Sequence, residues 1–132
     1  MVVYKIFDQV PAEAQPGHAD PEAVVPKLGI DVGDGFYHLS ARAEVAGTLS
    51  RFFSAADKVY IAHIDIPSDR TIVPEVGHLG NEPGESRLQW DEVRLSDTGA
   101  VTYFPHIYGN IRNKHVLKIE TVHKNADGTW TF

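Results

Sequence analysis

Hydrophobic and polar residues alternate along several stretches of the chain, and the alternation predicts strands. Residues 2–7 mix β-branched and aromatic side chains with a period of two, putting Val2, Tyr4 and Ile6 on one face. Residues 58–66 repeat the pattern, with Tyr60, Ala62, Ile64 and Ile66 on one face and Val59, Ile61, His63 and Asp65 on the other. His63 and Asp65 are expected to line the exposed side of that sheet. Residues 35–40, 87–95, 100–103 and 113–122 read as further strands. Asn125-Ala126-Asp127-Gly128 signals a tight turn before a short final strand or tail.

The longest helical pattern follows residue 40. Val45, Leu49, Phe52 and Phe53 form one apolar stripe, predicting a helix over 41–53 with Ser40 as its N-cap. Two shorter helices are expected upstream. One lies within 8–15, with Asp8 as cap and Gly17 as stop, and Pro11 limits it to a turn or two; the other opens at Asp20-Pro21-Glu22 and ends near 26–29. Residues 30–35 read as a loop around Gly33-Asp34-Gly35. Residues 67–86 read as a long surface loop, with one short strand or turn near 71–76. The class that results is α+β: a split, mainly antiparallel sheet with short helices clustered in the N-terminal half. There is no internal repeat and no linker, so residues 1–132 are expected to form a single domain.

Charge and composition narrow the partners. The formal net charge is -6, and the densest basic stretch is only Arg112-Asn113-Lys114-His115. Duplex nucleic acid is therefore excluded as a general partner, because phosphate contacts need concentrated positive charge. A small nucleotide needs only a helix end and one or two basic side chains. The absence of cysteine excludes disulfides, thiolate metal sites and a cysteine nucleophile. No apolar run has the length of a membrane span, and the start is too short for a signal segment. A cytoplasmic protein without a membrane partner is the expectation. The oligomeric state leaves no signature.

Candidate chemistry gathers at two places. Phe36, His38 and Ser40 share a strand face just before a helix, where backbone N–H groups and a positive dipole end suit an anionic or phosphorylated ligand. The plainer alternative makes Ser40 an N-cap and His38 a hydrogen-bonded, partly buried ring. His106 stands among Phe104, Pro105, Ile107 and Tyr108, whose aromatics can form a wall for a flat ring or simply fill the core. His63 and Asp65, joined by His38 or His106, would complete a two-histidine-one-carboxylate set, but no spacing guarantees convergence and no metal is expected. Nucleophile-elbow, P-loop and dinucleotide fingerprints are absent. Arg87 can hold a phosphate and Trp90 can stack, although a core role suits Trp90 better.

Four segments carry a resemblance: Val3-Tyr4-Lys5-Ile6; Asp34-Gly35-Phe36-Tyr37-His38-Leu39-Ser40 with a helix ending Arg51-Phe52-Phe53; Leu88-Gln89-Trp90-Asp91; and Phe104-Pro105-His106-Ile107-Tyr108-Gly109. In this order they resemble the small bacterial family known as domain of unknown function 952. That family is in turn similar to the ADP-ribosyltransferase-like superfamily, which includes RNA 2′-phosphotransferases and toxin-like transferases. The resemblance implies a cleft for NAD or a related nucleotide. Its first contact falls on Lys5, where many relatives have histidine, and its second motif falls on Tyr37, His38 and Ser40. The third catalytic position has no secure match among Glu92, Glu120 and His106, and His106 is preferred for its aromatic flanks. The expected site is thus His38 and His106 as catalytic residues, with Lys5, Tyr37, Ser40 and Tyr108 binding the ligand. The expected function is a transferase acting at a ribose or phosphate. The alternatives are a non-catalytic nucleotide or small-molecule binding module, and a small interaction protein acting through the 67–86 loop.

Overall fold

Two antiparallel sheets organise the chain, and the computed structural model describes residues 1–66, 76–78 and 86–132. The first sheet has three strands, β1 (Val2–Phe7), β3 (Lys58–Asp65) and β7 (Val116–His123), in the order β1-β3-β7. The second has four, β2 (Tyr37–His38), β4 (Val76–His78), β5 (Arg87–Arg94) and β6 (Val101–Tyr108), in the order β2-β6-β5-β4. Every pairing is antiparallel. The class is α+β.

β3 sits at the centre of its sheet with both faces covered, which explains its nearly continuous apolar run. Ala62 and Ile64, with Tyr60 at the margin, join a cluster containing Val3, Phe7, Tyr37, Leu39, Leu88 and Ile107. Val59 and Ile61 face a second cluster with Val45, Leu49, Val122 and Trp130. His63 lies in this covered region and is buried, contrary to the exposed face expected for it, while Asp65 is exposed.

The four-stranded sheet is two-sided in another sense. Tyr37, Leu88 and Ile107 point into the core, so the period-two alternation sends their neighbours His38, Gln89 and His106 to the opposite face. β6 runs through Pro105 well past the 100–103 segment expected. Proline removes only its own donor, and the Pro105 carbonyl accepts a bond from the Leu39 N–H at 3.1 Å.

The helices differ from the sequence reading in instructive ways. α1 (Ile30–Asp34) occupies a segment read as a loop, closed by Gly35 at φ 78°, a left-handed conformation that glycine adopts without strain. No helix forms at 20–29. Pro21 and Pro26 confine that segment, Asp20 accepts the Glu22 N–H in a local turn, and Val25 donates its N–H to Ile111 instead. Only a 3-10 turn, Ala12–Ala14, forms within 8–15. Another, Asn113–His115, precedes β7.

α2 (Arg42–Phe52) is capped by Ala41, not Ser40, because both backbone polar groups of Ser40 are committed to Tyr4 at 2.9 and 2.8 Å. Val45 and Leu49 are buried, but Phe52 is 75% exposed and leaves the expected stripe. Arg51 Nε, 3.1 Å from Asp97 Oδ2, ties the end of α2 to the turn between β5 and β6.

The strand or turn expected near 71–76 lies almost wholly outside the described residues, as does most of the 67–86 loop; β4 pairs with the start of β5. Among the described residues, no helix is long and apolar enough to cross a membrane.

Candidate active site

One rung of the second sheet sets the site. His38 on β2 pairs with His106 on β6, which pairs in turn with Gln89 on β5. The two imidazole centroids are 5.0 Å apart at 66°. Phe36, one alternation before His38, stacks on His106 at 4.4 Å and also contacts His38 at 4.7 Å and Tyr108 at 4.8 Å. This aromatic packing restrains both imidazoles.

His106 is held by a carboxylate. Its Nδ1 lies 2.7 Å from Asp91 Oδ2, which also accepts the Tyr108 hydroxyl at 2.7 Å, while Asp91 Oδ1 accepts the Gln89 amide at 2.5 Å. Burial pushes the Asp91 carboxyl up, but its bonds from Tyr108, Gln89 and His106 hold it below the ordinary 3.8. Burial pulls His106 below 6.5, outweighing the Asp91 hydrogen bond that raises it, and nearby His38 lowers it further. His106 is therefore neutral at pH 7. Its proton sits on Nδ1, facing Asp91, and its Nε2 has no partner among the described residues.

His38 belongs to a second network. Its Nδ1 is 2.7 Å from Asp31 Oδ1, its Nε2 is 2.9 Å from Asp34 Oδ2, and its backbone N–H donates to Asp31 Oδ1 at 3.0 Å. Asp31, almost fully buried, also pairs with Lys5 Nζ at 2.5 Å, and that ammonium donates to the His38 carbonyl at 3.1 Å. Burial would raise Asp31, but His38 and Lys5 together hold it below 3.8. Burial pulls Lys5 below 10.5 against the raising influence of Asp31. These interactions account for α1. A five-residue helix has little stability of its own, and Asp31 anchors it to β1 and β2.

A cleft of about 860 Å³ opens beside these networks, within the range of small-molecule sites. Lys5, Asp31, His38, Ser40 and His106 all line it. Its walls are mostly apolar, with Phe52 from α2 and Phe104 from β6 supplying aromatic faces. Ser40 Oγ and Thr48 Oγ1, 3.4 Å apart, add a hydroxyl patch.

The site residues read from sequence thus divide. His38, His106, Lys5 and Ser40 come together on the cleft. Tyr37 does not: it is fully buried, donates its hydroxyl to the Val25 carbonyl at 2.5 Å, and has no face to offer a ligand. The alternation that turns His38 outward turns Tyr37 inward. Tyr108 braces Asp91. Glu120 pairs with His63 at 3.0 Å, and Glu92 is exposed. Among the described residues, no three His, Cys, Asp or Glu side chains converge to hold a metal ion. Trp90 packs against the core cluster.

Asp31, Asp34, Phe52 and the part played by Asp91 were missed by sequence reasoning. For Asp91 a signal existed, since the diagonal neighbour of a strand histidine can reach it. For Asp31, read as a loop residue, there was none.

The family model described as "Protein of unknown function (DUF952)" matches residues 12–119. No curated protein matches the chain. Two crystal structures of protein CC0527 from Caulobacter crescentus are similar to it. One, a double mutant, is 25% identical with a TM-score of 0.63, covering 99% of this chain and 94% of that one. The other is 23% identical with the same TM-score and coverage.

Proposed function

The chain belongs to the DUF952 family, and from that premise we propose that the cleft is an active site for a ring-and-ribose ligand, with His106 as general base. The observation that carries this reading is the His106–Asp91 pair. Asp91 fixes the tautomer at Nδ1, and the ring lines the cleft with Nε2 unpartnered among the described residues. A ligand hydroxyl within about 3 Å of Nε2 would lose its proton there as its oxygen attacks the anomeric carbon or phosphorus being transferred; the bond from that atom to the leaving group breaks, and the leaving group departs with the electron pair and takes up the proton from the imidazolium. Asp91 then stabilises the imidazolium, and Phe36 keeps the ring from turning.

The ring portion of the ligand lies against Phe52 and Phe104, and ribose hydroxyls reach His106 and Ser40. A three-stranded and a four-stranded antiparallel sheet beside a cleft support the similarity to the ADP-ribosyltransferase-like superfamily, and with it a glycosyl- or phosphotransferase. Lys5 stands on the first sheet, and the segment carrying His38 and Ser40 begins in the second. NAD and ADP-ribose, the ligands this similarity suggests, carry a ring and ribose that suit the walls. Their phosphates fit less well, since Lys5 is already paired with Asp31.

Ring-proton NMR of the histidines tests the reading during titration with nucleosides, ADP-ribose and NAD. The His106 and His38 signals are expected to shift together, and His106→Ala is expected to abolish chemical conversion. Unchanged rings at millimolar ligand would overturn the proposal. A second reading, a binding module without chemistry, is favoured by one observation: both His38 nitrogens and the Lys5 ammonium are engaged within the protein. It predicts ligand-dependent thermal stabilisation with the ligand recovered unaltered.

A further inference from the structure

We infer that the cleft selects an uncharged, unphosphorylated ring compound bearing hydroxyls, a nucleoside rather than a nucleotide. This rests on the cleft reading above and narrows its ligand class.

The polar floor is electrically committed. Lys5 Nζ is 2.5 Å from Asp31 Oδ2 and donates a second bond to the His38 carbonyl. Both His38 nitrogens face carboxylates, Asp31 at 2.7 Å and Asp34 at 2.9 Å, so the ring has no N–H left to direct at a ligand. His106 presents a lone pair at Nε2, which accepts a hydroxyl proton and repels an anionic oxygen. Asp8, exposed and also lining the cleft, adds negative charge.

A phosphate entering this space would leave water without gaining an uncommitted cation among the described cleft residues. Such a transfer is strongly unfavourable. A neutral ring gains instead, because Ile6, Phe7, Leu39, Val93 and Phe104 bury its surface. Neutral hydroxyls also match polar groups on the cleft: an acceptor at His106, and the Ser40 and Thr48 hydroxyls, which both donate and accept.

The test is a calorimetric affinity series on the full chain, using adenosine, guanosine, cytidine and uridine against their 5′-monophosphates. At least one nucleoside is expected to bind, with its monophosphate weaker by at least about tenfold through like-charge repulsion. Raising the salt concentration is expected to narrow the gap. Asp34→Asn, at an exposed position, removes one negative charge and leaves His38 Nε2 facing a neutral amide. It is expected to narrow the same gap, which a purely steric exclusion of phosphate would not do. A monophosphate binding as tightly as its nucleoside, or tighter, overturns this inference and leaves the active-site reading standing. If no member of either set binds, this inference falls, and the active-site reading is decided by the ADP-ribose and NAD titration.

Discussion

His38 and His106 stand on one rung of the same sheet, 5.0 Å apart, yet each answers to a different aspartate. Asp31 reaches His38 from a helix, and Asp91 reaches His106 from the next strand. The two rings therefore do different work. His38 is tied at both nitrogens, while His106 keeps one nitrogen for the cleft. His106 is expected to titrate below 6.5 in an NMR pH series, since burial penalises its charged form. A base acts when neutral, so conversion should rise with pH through that lowered value and level off above it. Asp91→Asn removes an influence that raises His106 and should move its titration lower still.

Stability should fall in two stages on acidification. The unfolded chain takes up its histidine proton near 6.5, before folded His106 does, so stability is lost as pH drops below 6.5 toward the lowered folded value. Asp31 and Asp91 lie below 3.8 in the folded state; their contribution is complete above 3.8 and is lost as pH falls through their lowered values. Urea midpoints measured across this range should show both stages. His106→Gln should remove its share of the first and leave the second.

Lys5 and Asp31 form a buried ion pair at 2.5 Å, with side chains 11% and 1% exposed. Removing Asp31's charge strands the Lys5 ammonium, and removing Lys5 leaves buried Asp31 only its His38 bonds, each at a cost of up to about 3–5 kcal/mol. Lys5→Met and Asp31→Asn should each lose stability on that scale by denaturant unfolding. The double variant should lose clearly less than the sum, because neither charge is then left alone. Additive losses would mean that the pair does not couple.

Tyr37 separates packing from binding. It is fully buried and donates to the Val25 carbonyl, and burial pushes its hydroxyl above 10.0. Tyr37→Phe should cost about 1–2 kcal/mol in thermal or urea unfolding, the worth of one buried hydrogen bond. Nucleoside affinity should not change, since the ring has no face on the cleft. A specific loss of affinity in a normally stable Tyr37→Phe protein would restore the ligand-binding role that the family resemblance implied.

The strands were legible because alternation is local: β1 and β3 begin where their β-branched and aromatic runs begin. His38 and His106 stood out for the same reason, being polar rings inside apolar patterns. Their pairing was not legible, because register depends on which strands meet. The caps at Asp20 and Ser40 misled in one way: each has ordinary helix-start chemistry, but long-range bridges claim the nearby backbone, Val24 with Arg112 and Tyr4 with Ser40. α1 failed to show because five residues carry no helical period. What holds it is an ion pair to Lys5, 26 positions earlier.

Phe52 and Leu49 sit one turn apart on α2 and should answer to opposite assays. Leu49 is fully buried, so Leu49→Ala should cost about 2–5 kcal/mol as a cavity opens in the core. Phe52 is 75% exposed and lines the cleft, so Phe52→Ser should change unfolding by less than about 0.5 kcal/mol. Its ring face is worth about 0.5–1.5 kcal/mol to an aromatic ligand, which corresponds to a roughly two- to tenfold loss of nucleoside affinity. An exposed phenylalanine at that position adds little to folding; the proposed contact with a ring-bearing ligand would give it a role. Calorimetry on the Phe52→Ser protein decides the point, and undiminished affinity would place the ligand's ring elsewhere in the cleft.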